Sequence, residues 1–187
     1  VVLDRTAFYP GGGGQPADTG VLISKSSRYN VNNIYQSNGR LIHELDIAPP
    51  PKGEVIFGKI NWENRYQLMR THTALHILCG VIWRDYGAQV TGGNMKPLVA
   101  RMDFELEHIT TSFVSEVENR VNEEINTKRK IVIKILSREK AFQIPDLIRT
   151  KINLLPKSIR EIRTVNILGL DLQADGGTHV TNTSEVG

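Results

Sequence analysis

At Asn61 the sequence changes its hydrophobic period, and that switch fixes most of what the chain can fold into. From Trp62 to Tyr86, Leu68, Leu75, Leu78 and Ile82 recur at the spacing of one face of an α-helix. Asn61 suits the N-cap, because its side-chain oxygen can accept from a free first-turn amide, and Gly87 can take the left-handed backbone that ends a helix. One long, largely buried helix is therefore predicted over Trp62–Tyr86. Residues 1–60 read differently: short β-rich pieces at Val1–Asp4, Gly20–Ser24, Tyr29–Gln36, Arg40–Leu45 and Glu54–Ile60 alternate with turn residues. Asn38-Gly39 suits a two-residue type I′ hairpin, whose central positions both need positive φ. The run Ala48-Pro49-Pro50-Pro51-Lys52-Gly53 cannot continue a central strand and reads as a turn or link.

Beyond the long helix, Phe113, Val117, Val121 and Ile125 fall every fourth residue and predict a second helix over about Ser112–Asn126, capped by Thr110 or Thr111. Lys130–Leu136 and Glu161–Leu168 read as strands. Two helices against an antiparallel sheet make the class α+β, with a small β-barrel-like part at 1–60 and an α+β domain at 61–187. A chain of 187 residues, 40% apolar, can bury one core plus a small satellite. Its single cysteine, Cys79, excludes an internal disulfide and fits a reducing compartment. No apolar run approaches the roughly 20 residues that cross a bilayer, and no signal peptide opens the chain, so a cytoplasmic protein is expected. Val1 already falls within an expected strand, so the natural protein is expected to be longer. A net charge of +3 admits a polyanionic partner but is equally that of an ordinary enzyme.

Three groups of residues carry chemistry. His72-Thr73-Ala74-Leu75-His76 places two imidazoles one helical turn apart, as two ligands of one tetrahedral zinc require. Zinc proteases share this spacing but follow the first histidine with a glutamate base, and here Thr73 stands in that place. A histidine pair of this kind is also compatible with a plain core or surface position. Asp175-Gly176-Gly177-Thr178-His179 offers a third imidazole, a hydroxyl and two glycines, though it could be a simple turn between strands. Thr6-Ala7-Phe8-Tyr9-Pro10 leads into Gly11 to Gly14, then Gln15-Pro16, with Asp18 and Gly20 behind. Four glycines between prolines cost much conformational entropy, which favours a backbone surface packed against a ligand over an unadorned loop. The run lacks the lysine and the spacing of a P-loop.

These segments, in this order, resemble the "T-x-F-Y-P-x-x-G-G-Q-P-x-D-x-G", "H-T-x-x-H" and "C-G-G-T-H-V-x-x-T-x-E-I-G" motifs of the alanyl-tRNA editing family. Arg101-Met102-Asp103-Phe104 is similar to the "R-F-D-F" that follows the histidine helix there. The likeness spans at least residues 1–47 and 61–187. It implies a zinc ion on His72, His76 and His179, and an aminoacyl pocket involving Thr6, Gly13, Gly14, Gln15, Gly176, Gly177 and Thr178. It implies hydrolysis of tRNA(Ala) mischarged with serine or glycine. One departure stands out: Asp175 replaces the family's frequent cysteine ligand, which leaves the fourth position to Asp175, Gln173, Cys79 or water. Lys128, Arg129, Lys130, Arg138, Lys140, Arg149, Lys151, Lys157, Arg160 and Arg163 are candidate phosphate contacts or simply a solvated face. The competing readings are a tRNA-binding module without catalysis, a fragment of an alanyl-tRNA synthetase, and a generic zinc hydrolase.

Overall fold

The computed structural model describes residues 1–151, 155 and 158–187. Four strands, β1 (Gly20–Ile23), β2 (Arg28–Ser37), β3 (Arg40–Leu45) and β4 (Phe57–Ile60), form an antiparallel sheet in the order β3-β2-β1-β4. Asn38 and Gly39 both have positive φ (49° and 73°), the backbone expected of the β2–β3 turn. Alternation along β2, shifted by one residue at an irregularity between Val31 and Asn33, sends Tyr29, Val31 and Ile34 inward, where they meet Phe8 and Leu22. Phe8 lies so close to β1 that a Cβ on Gly20 would stand 2.8 Å from its ring. Two expected strands differ from the structure. Val1 only exchanges main-chain hydrogen bonds with His43 before the chain bends away at Asp4. The last strand shortens to Phe57–Ile60, the length that four-residue β1 can pair.

Helix α1 (Trp62–Tyr86) takes its cap from Asn61, which accepts from Asn64 N, and ends on Gly87 at φ 66°. It is buried on nearly all sides along its second half. A hairpin of β5 (Val90–Lys96) and β6 (Val99–Phe104) covers one side, packing Met95 against Leu68 and Leu75. Helix α2 (Thr111–Asn126), capped by Thr110, covers another, with Val117 against Ile82. The last sheet joins β7 (Ile131–Ser137), β8 (Glu161–Ile167) and β9 (Asp171–Ala174), all antiparallel, and a short helix α3 (Arg138–Ala141) follows β7. Ile77 of α1 packs on Ile131, Val165, Ile167, Val180 and Val186. The class is α+β. The β5–β6 hairpin, α3 and β9 were not predicted, since Gly92-Gly93 interrupts any alternation and the other two span four residues each. Among the described residues no helix is long and apolar enough to cross a membrane.

Several links tie residues 1–60 to the remainder. Asp18, wholly buried, pairs with Arg65 of α1 and accepts from Tyr9 N, while Arg65 also donates to Ala7 O. Met95 N donates to Gly14 O at 3.3 Å, and Gln15 reaches Thr178. The glycine loop is thereby held against α1 and β5.

Candidate metal centre

His72 and His76 lie one turn apart on α1, and the turn after β9 brings His179 and Asp175 to them. The ring centroids are 5.0 Å apart for His72 and His76, 4.3 Å for His72 and His179, and 4.6 Å for His76 and His179. All three imidazoles are buried, and with Asp175 they offer four donor atoms within 4.8 Å of one another. Among the described residues this is the one group of histidine, cysteine and carboxylate side chains so arranged, and it could hold a metal ion.

The orientation of each ring supports that use. Asp175 Oδ1 lies 3.5 Å from His72 Nε2 and 4.0 Å from His76 Nε2, and Asp175 Oδ2 lies 3.0 Å from His179 Nε2. The three Nε2 atoms therefore converge. Each Nδ1 turns outward to a separate partner. Gln15 Oε1 lies 3.0 Å from His72 Nδ1 and also accepts from Thr178 N at 2.9 Å, while Gln15 Nε2 donates to Thr178 Oγ1 at 2.8 Å. With its oxygen thus fixed, Gln15 can only accept from His72, so Nδ1 carries the proton and the Nε2 lone pair points inward. Thr73 Oγ1 stands 3.1 Å from His179 Nδ1 and accepts from Val180 N. Asp171 Oδ2 stands 3.7 Å from His76 Nδ1, an ion-pair separation longer than a hydrogen bond. Asp171 is itself held by Gln173 Nε2 and by Arg149, whose guanidinium lies over the Trp83 ring. Ligating histidines commonly have their second nitrogen held this way.

Burial, with the neighbouring imidazoles, lowers His72 well below the usual histidine range and brings His179 down to about 4. Burial also opposes charge on His76, but the Asp171 and Asp175 carboxylates outweigh it and raise that pKa. Asp175 is buried too, yet its bond to His179 and the three imidazoles hold it below the usual carboxylate range. Neutral His72 beside an ionised carboxylate turns a free Nε2 lone pair inward, and at His179 a cation would take the place of the Nε2 hydrogen bond to Asp175.

The glycine motifs divide into parts with different work. A Cβ on Gly177 would collide with the His72 ring and stand 2.8 Å from Gln15 Oε1, whereas one on Gly176 would meet open space. Of this pair, only Gly177 is demanded by close approach. Gly11, Gly12, Gly13 and Gly14 all have positive φ (79°, 135°, 58° and 86°), which few other residues would tolerate. Reciprocal Gly12 and Gln15 main-chain bonds close the loop. Gly13, Gly14 and Gly176 border a cavity of about 770 Å³ that also touches His72, His76, Asp175 and Gln173. Gln15 is occupied with both Thr178 and His72. Thr6 borders a separate cavity, its hydroxyl 2.9 Å from His43 Nε2.

Among the expected alternatives for the fourth position, Cys79 lies outside the donor group, and burial followed by Asp171 pushes its thiol up to about 12. Gln173 faces the cavity with its amide committed to Asp171. Thr73, Asp171 and Arg149 had no place in the sequence reading of the site. Thr73 was visible inside the histidine motif, but there it counted only as a missing protease base.

A family model described as class II (A) tRNA synthetases matches residues 1–64. The alanyl-tRNA editing protein AlaX-M of Saccharolobus solfataricus is 41% identical over 190 residues, covering 100% of this chain and 79% of the relative. That of Methanosarcina barkeri is 38% identical over 192 residues, with the same coverage. The chain belongs to the alanyl-tRNA editing protein family. The alanine–tRNA ligase of Ignicoccus hospitalis is also 40% identical over 195 residues, all of this chain but 21% of the ligase, so a unit of this kind also sits within longer chains.

In this editing-family member the cationic side chains are unequally free. Arg129 is bonded to Glu124 and Lys151 to Glu105, Arg149 and Arg163 lie at ion-pair distance from Asp171 and Asp175, and Arg138 lies over Phe142. Lys128, Lys130, Lys140 and Arg160 are exposed. Lys157 lies outside the described residues.

Proposed function

We propose that the protein is a trans-editing hydrolase that removes serine or glycine wrongly esterified to tRNA(Ala), using zinc held by His72, His76 and His179 with Asp175 completing the donor set. The observation that carries this reading is the convergence of three Nε2 atoms and a carboxylate beside an open cavity, in a chain of this family. Three imidazole nitrogens and one carboxylate oxygen are donors zinc accepts, and aspartate closes such a site less firmly than a thiolate would. When bound there, zinc supplies Lewis acidity that brings the pKa of water toward about 7 or polarises an ester carbonyl.

The chain's own residues perform the remaining tasks. Gln15, Thr73 and Asp171 hold the rings so that their lone pairs converge. Gly13, Gly14 and Gly176 offer backbone along the cavity wall, where amides can donate to an oxyanion as it develops. An ester is far easier to hydrolyse than a peptide, so the lack of a glutamate after His72 is no obstacle. The need for such an enzyme follows from pocket energetics. A synthetic site built for alanine rejects glycine or serine by only about 1 to 3 kcal/mol, so a second site must correct the errors. On this reading residues 1–60 supply the glycine loop and residues 61–187 the metal centre.

The test is deacylation of tRNA(Ala) charged in parallel with serine, glycine and alanine, with and without a zinc chelator, and with His72→Ala. Release of serine or glycine but not alanine, abolished by chelation and by the substitution, is expected. Bound but unhydrolysed tRNA in every case would make the protein a binding module instead.

A further inference from the structure

Arg101-Met102-Asp103-Phe104 contributes no ligand to the histidine cluster, and the β5–β6 hairpin shows where its charges go. Successive side chains of a strand point to opposite faces. Met95 and Met102 point inward and border the cavity beside the histidines. The register sets Asn94 opposite Arg101 and Lys96 opposite Val99, and these four stand exposed on the outer face. Asn94 also borders the cavity, so the outer face meets the cavity at its rim.

This face is built around Arg101. Asp103 lies on the same face and holds the guanidinium at 3.1 Å, although the Arg101 side chain is 67% exposed. The carboxylate rests over Gly92, where a Cβ would stand 2.9 Å from Asp103 Oδ2. Glycine at that position clears the space. Among the described residues the side chains of Lys96 and Asn94 have no partner. The tip of the hairpin is fixed as well. Leu98 sits at φ 59°, where a turn with proline before it favours glycine, and donates its N–H to Thr71 Oγ1. Thr71 directly precedes His72 on α1, so the hairpin has a set position relative to the histidines.

A guanidinium held on one side by a carboxylate keeps further N–H donors for another oxyanion, and a planar fork beside an ammonium suits phosphate. An ester on the 3′-terminal ribose of an RNA has a phosphodiester on the 5′ side of the same sugar. A strand whose ester reaches the histidines therefore brings phosphates to the cavity rim. We propose that Arg101, Lys96 and Asn94, on the outer face of β5–β6, form a phosphate-contact surface for the acylated RNA strand. The proposal rests on the editing reading above. It puts the contact on the hairpin, apart from the basic residues between 128 and 163.

The test is the salt dependence of tRNA(Ala) binding, followed by fluorescence anisotropy over a range of potassium chloride concentrations. Each phosphate contact contributes about 0.7 to 0.9 to the slope of log affinity against log salt. Arg101→Gln and Lys96→Gln are each expected to reduce the slope by about that amount, and the double variant by about twice as much. Arg101→Lys keeps the charge and should keep the slope. Lys140→Gln, on α3 and outside the cavity lining, should match the parent. Melting curves equal to the parent's show that the slopes read contact and not unfolding. Parental slopes in both Arg101→Gln and Lys96→Gln overturn the surface, and so does an equal fall in Lys140→Gln, since attraction would then belong to the overall charge. Deacylation of mischarged tRNA(Ala) is scored separately. A parent that binds with the expected slopes but releases no amino acid overturns the editing reading and leaves the RNA contacts standing.

Discussion

Thr73 stands where a zinc protease carries glutamate, and its hydroxyl lies 3.1 Å from His179 Nδ1 while accepting from Val180 N. One small side chain on α1 thus holds both the ring and the backbone of the final motif. Thr73→Val keeps the shape and deletes both interactions. Metal affinity is expected to fall about 10- to 100-fold, the usual loss when a ligand's outer partner is removed, with Thr73→Ser restoring it. Competition with a chromogenic chelator measures this, and an unchanged affinity in the valine variant would show that His179 needs no such support. That these side chains come together was legible, because the spacing from His72 to His76 and the glycines before His179 stand out in the chain, and the structure groups them as donors that could hold a metal ion. Their supports were not. Asp171 and Arg149 look like any charged pair until β9 carries Asp171 to 3.7 Å from His76.

Among the elements, α1 and α2 were readable to within a residue because capping and periodicity agree, as Asn61, Gly87 and Thr110 show. The β5–β6 hairpin escaped because its register depends on a bulge near Gly92 and on bonds to Gly14 and Arg149, none local in sequence. Glu124 of α2 is a comparable long-range joint. It receives Arg84 from α1 and Arg129 from the entry to β7. Burial raises its pKa, but the two arginines outweigh burial and hold it below the usual carboxylate range. A depressed carboxylate stabilises the fold above its unfolded pKa, and that contribution disappears as pH falls through the folded value. Glu124→Gln should therefore lower stability at pH 7 by about 1 to 3 kcal/mol, from weakened charged hydrogen bonds. Below about pH 4 the gap between variant and parent should narrow. Urea unfolding at both pH values reads this, and a gap independent of pH would remove Glu124 from the acid response.

Across the whole molecule, the donor group joins segments about a hundred residues apart in sequence: His72 and His76 lie mid-helix, while Asp175 and His179 follow the last strand. Holding three buried imidazoles and a carboxylate together without a cation stores mutual desolvation, visible in the depressed pKa values of His72 and His179. A metal bound only by the folded arrangement stabilises it by mass action, about 2.7 kcal/mol when free metal is one hundred times its dissociation constant. Chelation should therefore lower the unfolding temperature by several degrees, and zinc should restore it in a concentration-dependent way. The same titration on His76→Ala should show little response, because one converging nitrogen is gone. If chelator and zinc leave the parent's melting curve unchanged, the histidine cluster is a packed polar core and the hydrolase must work without a metal. If they move the parent and not the variant, the ion is as much a clasp between α1 and the final motif as a centre for chemistry. Gln15, bonded to His72 on one side and Thr178 on the other, would then draw the glycine loop into the same cooperative unit.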